Sequence, residues 1–377
     1  MFVIGALGFT VGSLLCAVAQ SPETLIAARV VQGLFGAAMI PQGFGLIKEM
    51  FPPAQLQSAF ALFGPVMGLS AVAGPVLAGW LVDADIAGTG WRMIFLINLP
   101  IGLAAAAGAI RLLPESRSPH PLRLDVPGVA LASIASLLLV YPLVQGREHG
   151  WPAWAFVMIA ASVVMFGVFA AGQVRKGRRG GDPLVVPSLF RKRAFTAGLL
   201  AGLILFACLA GFTLVLNLYT QLSLGYSPLK AGLTGAPFSL GMVAGMGVMQ
   251  PLQRFGRKVL LGGAVVKALG ILAVIMIITA GPAPTPWRLA PALALAGIGT
   301  ALLMGPYFDF VLAGVEPHEA GSASGTLTAV QQLGSAFGIA LLGTVFFSAS
   351  IAAVLATIAG LLAVIFAVGF LLPKRSG

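Results

Sequence analysis

Apolar positions along this chain of 377 residues run in long blocks separated by short polar punctuation. No Asp, Glu, Lys or Arg falls within 1–22, 30–47, 50–82, 93–110, 126–146, 149–174, 194–229, 231–253, 268–287, 289–308 or 320–373. A helix needs about 20 apolar residues to cross the hydrocarbon core of a bilayer. Most blocks therefore hold one crossing, and 320–373 holds two. The pattern predicts helices at about 1–19, 24–47, 58–82, 93–112, 126–144, 153–173, 195–221, 229–252, 259–280, 288–312, 323–348 and 351–372. The expected fold class is an all-α polytopic membrane protein with about twelve transmembrane helices.

Composition agrees. The chain is 58% hydrophobic and 9% charged, whereas soluble domains carry roughly a quarter charged residues. A mean hydropathy of +0.99 leaves too few polar groups to clothe a water-facing surface. The net charge of +11 would suggest nucleic acid in a soluble chain, but the position of the charges gives it another meaning. Alternate loops hold Lys48; Arg111, Arg117 and Arg123; Arg175, Lys176, Arg178, Arg179, Arg191, Lys192 and Arg193; Arg254, Arg257 and Lys258; Lys374 and Arg375. The opposite loops hold Arg92, Arg147, Lys230 and Arg288. By the positive-inside rule the richer set is cytoplasmic, with both termini inside, and no nucleic-acid role is expected. Ala17-Val18-Ala19 is like a signal-peptidase site, yet the first charge is Glu23, so the basic n-region of a signal peptide is missing and a retained helix is expected. Cys16 and Cys208 lie inside predicted helices and make no disulfide framework.

Two polar connections, 113–124 and 174–194, divide the chain into four helices (1–112), two helices with a basic loop (113–194) and six helices (195–377). The basic run in 174–194 reads as a solvated linker facing lipid headgroups. Polar residues inside the spans are the candidates for chemistry. Arg29, Gln32, Gly33 and Gly36 share one helical face by spacing, and an intramembrane arginine is costly enough to prefer an interior or water-filled site. Gly64, Gly68, Gly74, Pro75 and Gly79 predict a bent, closely packed third helix. Lys267 and Asp309 lie on neighbouring predicted helices at comparable depth and are candidates to pair or to carry protons. Met242, Met246 and Met249 recur at helical spacing, which fits a packed or lipid-facing stripe and also an adaptable cavity. Gly198 with Gly202, Gly241 with Gly245, and Gly334 with Gly338 signal close helix approach.

Enzyme chemistry finds no footing. His120, His149 and His318 sit in separate loops without metal-ligand spacing. No Gly-Lys-Ser/Thr phosphate loop occurs. Ser322-Ala323-Ser324-Gly325 has no base on a facing helix, since His318 precedes it in the same loop. No metal, cofactor or catalytic residue is expected.

Several runs together resemble the major facilitator superfamily, specifically its fourteen-helix drug/proton antiporter branch. They are Arg29-Val30-Val31-Gln32-Gly33 with Pro41, Ala73-Gly74-Pro75-Val76-Leu77-Ala78-Gly79-Trp80, and Trp91-Arg92-Met93-Ile94-Phe95-Leu96-Ile97-Asn98-Leu99-Pro100-Ile101-Gly102. Downstream, Tyr219-Thr220-Gln221, Gly225-Tyr226-Ser227-Pro228, Ala231-Gly232-Leu233, Pro317-His318-Glu319-Ala320-Gly321-Ser322-Ala323-Ser324-Gly325 and Gln331-Gln332-Leu333-Gly334 fit its second half. The resemblance implies a helical bundle of two pseudo-repeated halves joined by two extra helices. It implies a proton-coupled secondary transporter of the bacterial plasma (inner) membrane, whose partners are the lipid bilayer, protons and a small-molecule substrate. Small amphipathic or cationic compounds would be exported by alternating access. Arg29 and Gln32 would line a polar track, Gly74 and Pro75 would gate, and Asn98, Gln221, Gln331 and Gln332 would contact substrate. Arg254, Gly256 and Arg257 match a cytoplasmic gating loop, although Gln253 stands where the motif has Asp. In that alignment residues 1–19 match the family's third helix, and its first two helices are absent. The alternatives are a truncated remnant without autonomous transport, or an exporter of one specific metabolite.

Overall fold

The computed structural model describes residues 2–50, 66, 69–70, 72–112, 125–146, 149–181, 183–252, 255–280, 283–312, 314–316 and 319–369, with no side-chain description for 40–45, 47–49 and 250. Among these residues every regular element is helical. In chain order they are α1 (Phe2–Ala17), α2 (Pro22–Met50), α3 (Val72–Asp83), α4 (Gly90–Leu112), α5 (Val126–Gln145), α6 (Ala153–Arg178) and α7 (Arg193–Leu218). They continue with α8 (Pro228–Leu252), α9 (Arg257–Thr279), α10 (Pro286–Leu312), α11 (Ala320–Ser348) and α12 (Ile351–Gly369). Nine of them, α4 to α12, are long and apolar enough to cross a membrane.

The boundaries have local causes. Ser21 and Thr24 cap α2 reciprocally: the Thr24 amide donates to Ser21 Oγ at 3.3 Å, and the Ser21 amide to Thr24 Oγ1 at 3.1 Å. Helix α5 starts on Asp125, whose Oδ1 accepts from the Gly128 amide at 3.3 Å. Helix α9 starts at Gly256, where a φ of 54° lies in the left-handed region that glycine adopts without cost.

Contacts divide the chain into two compact units. The first comprises residues 1–121 with 226–236, and the second 122–225 with 237–377. In the first unit α2 and α4 pack on α1. The second unit holds α5 and α6 as a packed pair with α5 against α11, and a core in which α9 packs on α10, α7 on α11, and α12 on both α7 and α9.

Small residues set these crossings. A Cβ on Gly338 would lie 2.1 Å from the Ala207 carbonyl oxygen, and one on Gly334 2.6 Å from that of Leu203. The same construction puts Gly241 2.1 Å from the Ala294 oxygen, Gly263 2.8 Å from the Leu303 amide nitrogen, Gly270 2.5 Å from that of Ala296 and Gly299 2.2 Å from that of Lys267. In a membrane, where burial of apolar surface gives helices no reason to leave lipid, backbone proximity through glycine supplies the packing. The glycine pairs marked in the sequence thus sit at real crossings, Gly198 and Gly202 against Val311 and Tyr307 of α10 included. The methionines scatter: Met242 joins the core, Met249 packs at Gly305, and Met246 is exposed.

Candidate functional site

In the first unit a polar chain runs between three helices. Arg29 Nη1 donates to Gln32 Oε1 at 2.9 Å, and Gln32 Nε2 donates to Ser13 Oγ on α1. Asn98 Nδ2 on α4 donates to the same oxygen at 3.2 Å, and Cys16 Sγ lies 3.7 Å from Gln32 Oε1. Ser13, Cys16 and Gln32 are buried. The approach depends on Gly12, where a Cβ would meet the Gln32 Cα at 2.7 Å. The predicted face of α2 divides: Gln32 and Gly36 are buried, while Arg29 and Gly33 are exposed. Arg29 leans over the Phe95 ring at 5.5 Å, and Arg92 Nη2 ties the start of α4 to the Ala19 carbonyl at 3.0 Å. Gln32, Arg29 and Asn98 were legible in the sequence. Ser13, the hub, was not, because one serine in an apolar run carries no signal.

Gly74 and Pro75 are exposed on α3, and this helix meets the first turns of α8 within the same unit. A Cβ on Gly79 would lie 2.5 Å from the Pro228 oxygen, and one on Gly232 2.7 Å from the Pro75 oxygen. Asp83 Oδ2 accepts from the Leu229 amide at 3.0 Å, placing a carboxylate on the N-terminus of α8.

In the second unit Lys267 sits at the middle of α9, fully buried, with its backbone against Gly299. The expected pairing with Asp309 is not made. Lys267 Nζ and Tyr307 Oη are the buried side-chain polar atoms left without a hydrogen-bond partner among the described residues. Asp309 is exposed near the end of α10. The pairing fails because the two residues occupy different depths on crossing helices.

Polar side chains on α7 and α11 form stripes. Thr213, Asn217 and Gln221 follow at spacings of four, as do Ser324, Thr328 and Gln332. Gln221, Ser324, Thr328 and Gln332 are exposed and Gln331 is half-buried, and the three glutamines make no side-chain hydrogen bond among the described residues. The periodicity of these stripes is readable in the sequence. Of the residues expected in a gating loop, Gly256 and Arg257 open α9, and Arg254 lies outside the described residues.

At the base of the second unit the segment expected to be a solvated linker is pinned. Asp125 accepts from Gln173 Nε2 at 2.9 Å and pairs with Lys176 at 3.3 Å. The Gln173 hydrogen bond leads in holding its carboxyl below the usual range. Lys192 and Ser188 both donate to Glu319, whose carboxyl is held down to about 2 by these bonds, that of Lys192 foremost. Ser322 Oγ accepts from the Val186 amide at 2.8 Å.

Known proteins share this architecture. The chain is 52% identical over 352 residues to the "Probable actinorhodin transporter" of Streptomyces coelicolor, covering 92% of this chain and 61% of that protein. It is 31% identical to the tetracenomycin C resistance and export protein of Streptomyces glaucescens, covering 92% of this chain and 63% of the relative. The chain thus spans about three fifths of the length of these curated relatives. Among solved structures, the peptide transporter POT in complex with sulfate superposes with a TM-score of 0.68 at 15% identity, over 100% of this chain and 81% of that one, a likeness of fold alone. Residues 1–339 match the family model described as Major Facilitator Superfamily. With apolar helices packed through glycine, polar residues set inside them and this match across most of its length, the chain belongs to the Major Facilitator Superfamily.

Proposed function

We propose that the chain acts in proton-coupled export of an antibiotic-type small molecule by alternating access, as part of the fourteen-helix drug/proton antiporter branch. The observation that carries this reading is the set of polar groups in membrane spans without a partner among the described residues: Gln221 in the turn that continues α7, Gln331 and Gln332 on α11, and Lys267 inside α9. Amide groups facing hydrocarbon are costly, so glutamines held there without protein partners belong on a water-filled path. The relatives named for actinorhodin and for tetracenomycin C support an antibiotic-type substrate. Small amphipathic or cationic compounds remain the wider class.

Within this reading Lys267 and Asp309 exchange protons during the cycle. The network of Arg29, Gln32, Ser13 and Asn98 holds the first unit's polar track. Gly74 and Pro75 shape the outer gate, and Gly256 and Arg257 the inner one. The loop 179–192 faces the cytoplasm of a bacterial plasma membrane.

Everted membrane vesicles containing the chain, energised by an imposed pH gradient, test the assignment. Uptake of a polycyclic quinone antibiotic is expected and is abolished by an uncoupler. Uptake that persists without the gradient refutes proton coupling, and absence of uptake for every antibiotic and cationic dye tried refutes autonomous export.

A further inference from the structure

The stretch 173–193 carries seven basic residues and one acidic residue, Asp182, which lies outside the described residues. The structure sorts these cations into two kinds. The lysines are engaged inward: Lys176 with Asp125, and Lys192 with Glu319 and the Gly314 carbonyl. Arg175, Arg178, Arg179, Arg191 and Arg193 are all exposed, and none has a side-chain hydrogen bond or ion pair among the described residues. The carboxylates of Asp125 and Glu319 are taken up by the lysines.

The backbone gathers these five arginines. Arg175, Arg178 and Arg179 follow at spacings of three and four along the end of α6. The chain then folds back: the Val185 amide donates to Gln173 Oε1 at 3.2 Å, and Pro183 and Pro187 pass within about 4 Å of where a Gly177 side chain would begin. Leu189, fully buried, anchors the short 3-10 turn Pro187–Arg191, from which Arg191 and then Arg193 project. Phe190 and Val174, both exposed, lie among them. The patch sits where one span ends and the next begins, hence at a membrane face.

We propose that this patch is a binding site for the headgroups of anionic phospholipids. Guanidinium groups grip phosphate oxygens in a bidentate way that an ammonium does not reproduce. A cluster of basic residues beside a membrane span is the arrangement that anionic headgroups recognise. Phe190 and Val174 enter the acyl boundary while the five arginines meet phosphates above it. The lysine pairs position the site by fixing both its flanks and occupying Asp125 and Glu319.

The full chain, purified and placed in nanodiscs of phosphatidylcholine with or without phosphatidylglycerol, tests this. Phosphatidylglycerol is expected to raise the thermal midpoint and to co-purify as bound lipid in native mass spectrometry. Changing all five arginines to glutamine is expected to lower its retention by about tenfold or more, whereas Arg288→Gln, at an exposed site elsewhere, leaves it unchanged. Because losing five charges also disturbs membrane topology, a second variant changes the same five to lysine, which keeps the charge and loses the bidentate grip; its retention falls by about threefold. Equal retention by wild type and the lysine variant overturns the guanidinium site, and equal stabilisation of wild type and the glutamine variant overturns the site altogether. The readout is lipid retention, so it stands apart from what the carrier moves.

Discussion

Replacing Lys267 by methionine exchanges a buried amine without a partner for an apolar side chain of similar length at the centre of the second unit. The backbone stays where Gly299 packs on it, so no new clash arises at the crossing of α9 and α10. An unsatisfied buried donor costs about 1–3 kcal/mol, and Lys267 is both fully buried and without a hydrogen-bond partner. Lys267→Met is therefore expected to stabilise the protein by that amount. At about 2–4 °C per kcal/mol for a unit of this size, the thermal midpoint in detergent or nanodiscs rises by about 2–12 °C. Uptake into everted vesicles is expected to fall to background in the same variant, because a group kept at such a cost is kept for the cycle. The two readouts separate two arguments. A midpoint that falls means that the amine is satisfied, and the burial argument is wrong. A midpoint that rises with uptake intact leaves the burial argument standing and removes Lys267 from proton coupling.

Other expectations follow from the same geometry. Asp309→Asn abolishes gradient-driven uptake while the protein still reaches the membrane; unchanged uptake removes its role. Gly338→Val places a side chain about 2 Å from the Ala207 carbonyl, and overpacking of this kind costs about 1–3 kcal/mol, seen as a lower thermal midpoint; an unchanged midpoint would mean that α7 and α11 sit farther apart. Glu319, with its carboxyl lowered from 4.5 to about 2, contributes stability that is complete above the ordinary value and disappears as pH falls from 4.5 through 2. Unfolding scans should show that loss in wild type and not in Glu319→Gln.

The linear chain determined what is local and additive. Hydropathy summed over each span set the number and places of the helices, because every span must satisfy its own backbone in lipid. The four-residue spacing of glycines marked crossings such as Gly334 and Gly338, since a helix returns to the same face every turn. Tertiary structure alone decided which helices meet and which polar groups find one another. Ser13, Gln32 and Asn98 come from three helices, and Lys192 and Glu319 are separated by 127 positions; no periodicity links such residues. Lys267 and Asp309 make the same point from the other side. Both lie within predicted spans on neighbouring helices, which made them a plausible pair, but the Gly299 crossing fixed their depths, burying one cation without its counter-ion and leaving the carboxylate near a helix end. Hydropathy has no term for depth at a crossing, and that depth is where the chemistry of this site was set.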